Sequence, residues 1–159
     1  MQQRRGSESG TASEKHAMEQ KFIEIFTGFS DNYGQADMQR LEVDPISKKQ
    51  KPEYRWAQRK ITDEDYLDHL KGNKSIGIQP CNEKNHARFG AIDIDPNEYQ
   101  GFDRKFYLDK IKEYNLPLIP ILSKSGGLHI YIFTKEFIPA SIIRSFLTNL
   151  IPIFNLKPE

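Results

Sequence analysis

The sequence predicts an α+β protein in which an N-terminal α/β extension leads into a β-α-β-β-α unit, and three observations predict it. RFGAIDID, LPLIPILS and LHIYIFT are short runs rich in Ile, Leu, Phe and Tyr, the pattern of strands. Phe102 to Tyr114 and Ile138 to Leu150 instead repeat their apolar residues at helical spacings of three and four. The 159 residues make one domain's length, enough to bury roughly 70% of the surface an unfolded chain exposes. The order strand, helix, strand, strand, helix is the start of a split βαβ unit, the ferredoxin-like or RRM-like arrangement, with the final strand missing. In that arrangement the first and third strands are central neighbours.

Taken from the N-terminus, MQQRRGSESGTASEK is rich in Ser, Gly and charge without periodicity, so residues 1–15 are expected to form a disordered tail. From Ala17 to Phe29, Met18, Phe22, Ile25, Phe26 and Phe29 share one helical face that can pack on the body. SDNYG breaks that pattern with turn formers. Thr62 and Asp65 make a Ser/Thr-x-x-Asp/Glu start signal for a helix that turns Tyr66, Leu67 and Leu70 inward and stops at Gly72. SIGIQP is then a short strand closed by Pro80, and CNEKNH a turn. Residues 16–88 are thus the N-terminal α/β part and residues 89–159 the truncated RRM-like core. In the core, Phe102, Phe106, Tyr107, Ile111 and Tyr114 line one helix. Ile142, Ile143, Phe146, Leu147 and Leu150 face inward from the other, whose first turn suits Pro139.

The balance of 23 Lys and Arg against 22 Asp and Glu, net +1, excludes a uniformly basic body, so any nucleic-acid contact must come from local patches. The single cysteine, Cys81, leaves no internal disulfide, which is compatible with a reducing, cytoplasmic location. No apolar stretch approaches the roughly 20 residues that span a bilayer, so no membrane partner is expected. Cys81 and His86 lack the further ligands a structural zinc needs.

One local patch is KKQKPEYRWAQRK, residues 48–60, with six basic residues against one acid. Lys51, Arg55, Arg59 and Lys60 offer phosphate contacts, and Tyr54 and Trp56 offer faces for base stacking on a single strand. A solvated loop whose aromatics anchor it to the core is the other reading.

Chemistry concentrates in two later motifs. In an extended strand alternate side chains share a face, so Asp93 and Asp95 point together while Ile92 and Ile94 point away. Two carboxylates in an apolar strand call for charge compensation, and hard oxygen donors with room for water and phosphate favour Mg²⁺ or Mn²⁺. The second motif is SKSGGLH. Ser123, Lys124 and Ser125 offer hydroxyls and a cation, and Gly126 and Gly127 a backbone that can cradle phosphate oxygens. An ordinary hairpin turn has the same composition. His129 shares a face with Tyr131 and Phe133, and by topology sits opposite the acidic pair.

FGAIDID, SKSGGLH and the preceding HLKGNKSIGIQP together resemble the archaeo-eukaryotic primase superfamily, and within it the primase domains of TOTE conflict systems and mobile elements. The resemblance runs from about Phe22 to the C-terminus. It implies a primase-polymerase, a nucleotidyltransferase of DNA replication type that joins nucleoside triphosphates on a single-stranded DNA or RNA template. Asp93 and Asp95 would be metal ligands, and His129 would bind the incoming triphosphate with Ser123, Lys124, Ser125, Gly126 and Gly127 around its phosphates. A helicase or nuclease domain, or a downstream chain segment, would be its partner. The family carries a third acidic position on a later strand, and Glu159 in NLKPE does not fill that role. The chain is therefore expected to be a fragment, a split subunit or a degenerate copy, weak or inactive alone. Two other functions use the same residues: a noncatalytic RRM-like single-strand-binding module, and a metal-dependent nuclease or phosphoesterase.

Overall fold

The computed structural model describes residues 11–43, 50–99, 101–123 and 126–157, without the side chains of Gln39, Arg40, Gln50 and Lys51. Its elements are α1 (Ala12–Ile25), β1 (Tyr33–Val43), β2 (Gln50–Ala57), α2 (Asp63–Leu70), β3 (Lys74–Gly77), β4 (His86–Ile94), α3 (Arg104–Glu113), β5 (Ile119–Leu122), β6 (Leu128–Pro139) and α4 (Ala140–Asn149). They form two antiparallel sheets, ordered β2-β1-β3 and β4-β6-β5. The second order is the one a β-α-β-β-α unit dictates, with its first and third strands adjacent, so the expected α+β, ferredoxin-like core with an N-terminal extension is present.

The first helix departs from expectation at both ends. Thr11 Oγ1 accepts the Glu14 amide while Glu14 accepts the Thr11 amide at 2.7 Å, a reciprocal cap that starts the helix at Ala12. Residues 12–15 are therefore helical where a tail was expected, and residues 1–10 lie outside the described residues. The helix ends at Ile25, leaving Phe29 beyond it, where its amide donates to Gln79 O. Met18 is exposed, while Phe22, Ile25 and Phe26 are partly buried, with Phe22 and Phe26 in ring contact.

The largest revision concerns residues 33–57. SDNYG leads straight into β1, and residues 50–57 of the basic segment are not a loop but β2, paired with β1 from Tyr33↔Ala57 to Val43↔Gln50, while Lys48 and Lys49 lie outside the described residues. β1 also pairs with β3, placing it centrally. Around this sheet the buried charged residue among those described is Asp65 of α2, 2% exposed. Arg59 grips it through both guanidinium nitrogens at 2.7 Å, Lys74 Nζ donates at 2.6 Å and Tyr33 Oη at 2.8 Å. The Thr62 amide and hydroxyl complete the set. Burial pushes the Asp65 carboxyl up, but these donors outweigh it and hold it well below the usual carboxylate range. One side chain thereby ties β1, α2, β3 and the segment after β2 together. Leu70, expected inward, is exposed, while Tyr66 is buried.

In the second sheet, Ile94, Leu128 and Ile130 meet Tyr107, Leu118, Leu150, Phe154 and Leu156 in a closed apolar core. Each such burial contributes roughly 1.5–3 kcal/mol. α4 packs so closely on β4 that a Cβ at Gly90 would lie 2.6 Å from Ile143 Cγ2, which is why a glycine stands in mid-strand. β6 continues to Pro139, so Ile138 belongs to the strand and Pro139 is the N-cap of α4; Ile142 faces outward. After α4 the chain makes a further turn ending at Asn155, φ 52°, which brings Phe154 and Leu156 into the core. Among the described residues no helix is long and apolar enough to cross a membrane.

Candidate active site

β4 and β6 pair so that Asp93 lies directly across from His129, Ala91 from Tyr131 and Phe89 from Phe133. The expected convergence of the two motifs is therefore present as a cross-strand pair. Asp93 Oδ1 stands 3.4 Å from His129 Nε2, and the two side chains are 74% and 40% exposed. On the other side of β6, Ile121 pairs with His129 and Ile119 with Tyr131, both isoleucines exposed. These residues share one sheet face, while Ile94, Leu128 and Ile130 on the reverse face form the core.

That face has a closed end and an open end. Phe26 of α1 meets Phe89, Tyr131 and Phe133 edge-on at 5.3–5.5 Å between ring centres, and Phe133 stacks on Tyr131. Arg88 fastens the helix there, donating to the Glu24 carboxylate at 2.9 Å, to Glu24 O at 3.2 Å and to Lys135 O. Hydrogen bonds from Lys21 and then Arg88 hold the Glu24 carboxyl below its ordinary value. Burial, and then the Asp93 charge, raise the phenol of Tyr131. Asp93 and His129 occupy the uncovered end.

The glycine loop closes on the same end. A Cβ at Gly127 would sit 2.1 Å from Ile94 O and 2.9 Å from Pro96 Cδ, so only glycine lets the loop rest against the end of β4. Gly126 has φ +88°, and its amide donates to Ser123 O while the Ser123 amide donates to Gly127 O. The Gly126 and Ser123 amides thus serve the turn itself. Lys124 and Ser125 lie outside the described residues. Asp95 stands one residue past the end of β4, where its Oδ1 accepts the Asn97 amide and side-chain nitrogen at 2.9 and 2.8 Å.

A family model described as "TOTE conflict system, Archaeo-Eukaryotic Primase domain" matches residues 21–157. The chain belongs to that primase family. The matched span begins within α1 and takes in both sheets, so the first sheet is part of the primase domain. No curated protein matches the chain.

Primases of this kind imply a divalent cation, and the donors present fit an open site. Asp93 offers an exposed carboxylate, Asp95 a second one two positions on, and cations such as Mg²⁺ are commonly held by one or two carboxylates plus waters and substrate phosphates. Among the described residues no set of three or more His, Cys, Asp or Glu converges into a closed cage.

The basic segment is dispersed by its strand geometry. Tyr54 and Trp56 share one face of β2 and are exposed rather than anchored in the core. Arg55 points to the other face, lining a cleft of about 330 Å³ with Gln35, Asp37, Asp68 and Lys74. Arg59 is held by Asp65, Lys60 lies 3.5 Å from Asp31, and the side chain of Lys51 lies outside the described residues. Sequence reasoning missed the Asp65 cluster, visible only as a helix cap, and the Arg88–Glu24 fastening, whose partners are 64 residues apart.

Proposed function

We propose that the domain is a primase-polymerase that transfers nucleotides from a nucleoside triphosphate to a 3′-hydroxyl along a single-stranded template. The observation that carries this is the Asp93–His129 pair at the open end of the sheet, with the Gly127 turn seated beside it. Asp93 and Asp95 would hold Mg²⁺ or Mn²⁺, which when bound supplies charge neutralisation on the phosphates and a template for in-line displacement. His129 is oriented by the Asp93 carboxylate and presents its ring to the triphosphate, where a ring N–H donates to a phosphate oxygen. Ser123 and the Gly126-Gly127 turn flank those phosphates. Ile121 and Tyr131 floor the space next to His129 and exclude water from one side of the bound nucleotide. The 3′-hydroxyl attacks the α-phosphorus, its bond to oxygen forms as the bridge to the β-phosphate breaks, and pyrophosphate leaves.

The test is extension of a labelled primer on a template with Mn²⁺ and either deoxy- or ribonucleotides, for the wild type and for Asp93→Asn and His129→Ala. Product that disappears in both variants supports the reading. Degradation of the strand without addition would favour a nuclease instead. Absence of product together with absence of triphosphate binding would overturn the proposal.

A further inference from the structure

The C-terminal end of α1 is held from both sheets at once. A helix ends with carbonyls that have no partner inside it, and here side chains from two different elements reach them. Arg88 of β4 donates to Glu24 O at 3.2 Å as well as to the Glu24 carboxylate at 2.9 Å. Tyr66 of α2 donates its hydroxyl to Phe26 O at 3.3 Å. One tie thus comes from the strand that carries Asp93, and the other from the helix that Asp65 fastens to the first sheet. The chain leaving α1 is equally constrained. The Phe29 amide donates to Gln79 O at 2.9 Å, and a Cβ at Gly28 would lie 2.0 Å from that oxygen.

What this tightly held turn presents to the second sheet is one ring. Phe26 stands edge-on to Tyr131 at 5.5 Å and 90°, and to Phe133 at 5.3 Å and 89°. Behind it, Phe22 lies 4.7 Å from Phe26 and reaches Tyr66 and His69 of α2 at 6.3 and 6.1 Å. On the far side, Tyr131 meets His129 edge-on at 6.2 Å and 82°. Rings therefore follow one another from α2 through Phe22, Phe26 and Tyr131 to His129. The 3.4 Å contact between His129 and Asp93 is longer than an ordinary hydrogen bond, so it directs one nitrogen without fixing the ring plane. Bulk alone does not account for α1, because the helix buries none of its residues completely.

We infer that Phe26 is a positioning residue for the triphosphate site, acting through Tyr131 on the ring plane of His129, with Arg88 and Tyr66 holding the turn that carries it. The inference rests on the nucleotidyl-transfer reading of the Asp93–His129 corner. Edge-on aromatic pairs have a preferred geometry beyond the area they bury, so Phe26 gives Tyr131 an orientation that an aliphatic side chain of similar bulk does not. A misdirected imidazole loses its hydrogen bond to a phosphate oxygen, which weakens binding of the nucleotide while the fold stays intact.

The experiment titrates ATP and dATP with Mn²⁺ into the wild type, Phe26→Leu, Tyr131→Leu and the double variant by calorimetry, with a thermal melt of each. Phe26→Leu should weaken binding roughly fivefold, and the double variant should lose no more than Tyr131→Leu alone, because the two residues act in one line. Glu24→Ala, an exposed change that takes the carboxylate away from Arg88, should weaken binding about twofold at an unchanged melting temperature. Ile143→Val, in the helix against the reverse face, is the control for lost packing: it should lower the melting temperature and leave affinity alone. Wild-type affinity in Glu24→Ala and in folded Phe26→Leu would overturn the inference, and so would losses at Phe26 and Tyr131 that multiply in the double variant. In both cases the wild type still binds and the nucleotidyl-transfer reading stands. A wild type that binds neither nucleotide would overturn that reading and this inference with it.

Discussion

Asp65 and Asp93 are the same side chain put to opposite uses in the two sheets. Asp65 is buried and surrounded by Arg59, Lys74, Tyr33 and Thr62, so its charge is consumed within the protein. Asp93 stands largely in solvent with His129 3.4 Å away, and among the described residues no cluster of donors surrounds it. The first sheet is held by a polar cluster and leaves Tyr54 and Trp56 exposed on its edge strand. The second is held by an apolar core and leaves a charged corner open. Where the charge is spent separates the carboxylate that supports the fold from the one proposed to hold a ligand.

The comparison is broken most severely at Asp65. Asp65→Asn removes the counter-charge of Arg59 and Lys74 and weakens the buried hydrogen bonds, and should cost about 2–3 kcal/mol, read as a loss of unfolding free energy in denaturant. The same cluster sets the pH dependence. The Asp65 carboxyl is depressed, so the stability it contributes is complete above its ordinary value of 3.8 and is lost as pH falls below that toward the folded value. The Tyr33 hydroxyl is pushed up to about 12 by burial and by Asp65, so its contribution is complete below 10 and lost as pH rises through 12. Acid and alkaline unfolding of the wild type should therefore be steeper than that of Asp65→Asn.

Asp93→Asn should do the reverse. Nucleotide addition should fall at least about a hundredfold, the loss of several kcal/mol of charge stabilisation, while unfolding shifts by no more than about 0.5 kcal/mol. Gly127→Ala drives a methyl into Ile94 O and should cost about 1–3 kcal/mol, with weaker triphosphate binding as the turn moves away. The smallest effect has the opposite sign: Gly34→Ala meets no obstacle and should stabilise by roughly 0.5–1 kcal/mol in thermal melts.

The two sheets were also unequally legible in the sequence. Strands β4, β5 and β6 are apolar runs between plain helical repeats, and their order dictates the β4-β6-β5 arrangement and hence the pairing of Asp93 with His129. β1 and β2 hid because their sequences, YGQADMQRLEV and QKPEYRWA, are polar on both faces and lack an apolar alternation. Thr11 and Glu14 announced a helix start that the Ser and Gly around them obscured. The Asp65 cluster gathers Tyr33, Arg59 and Lys74 through tertiary structure, and no spacing in the sequence reports it. Composition marks Gly127 only as part of a phosphate cradle or a hairpin turn; its contact with Ile94 makes it the residue that sets the turn against the acidic strand.

Asp93 and His129 are proposed to form a metal-assisted triphosphate site. Calorimetric titration of a nucleoside triphosphate into the protein, with and without Mn²⁺, tests it without requiring turnover. Binding should strengthen with Mn²⁺ and fall at least about tenfold, or 1.4 kcal/mol, in both Asp93→Asn and His129→Ala at unchanged melting temperature. Binding that is indifferent to Mn²⁺ and equal in the wild type and both variants would contradict it.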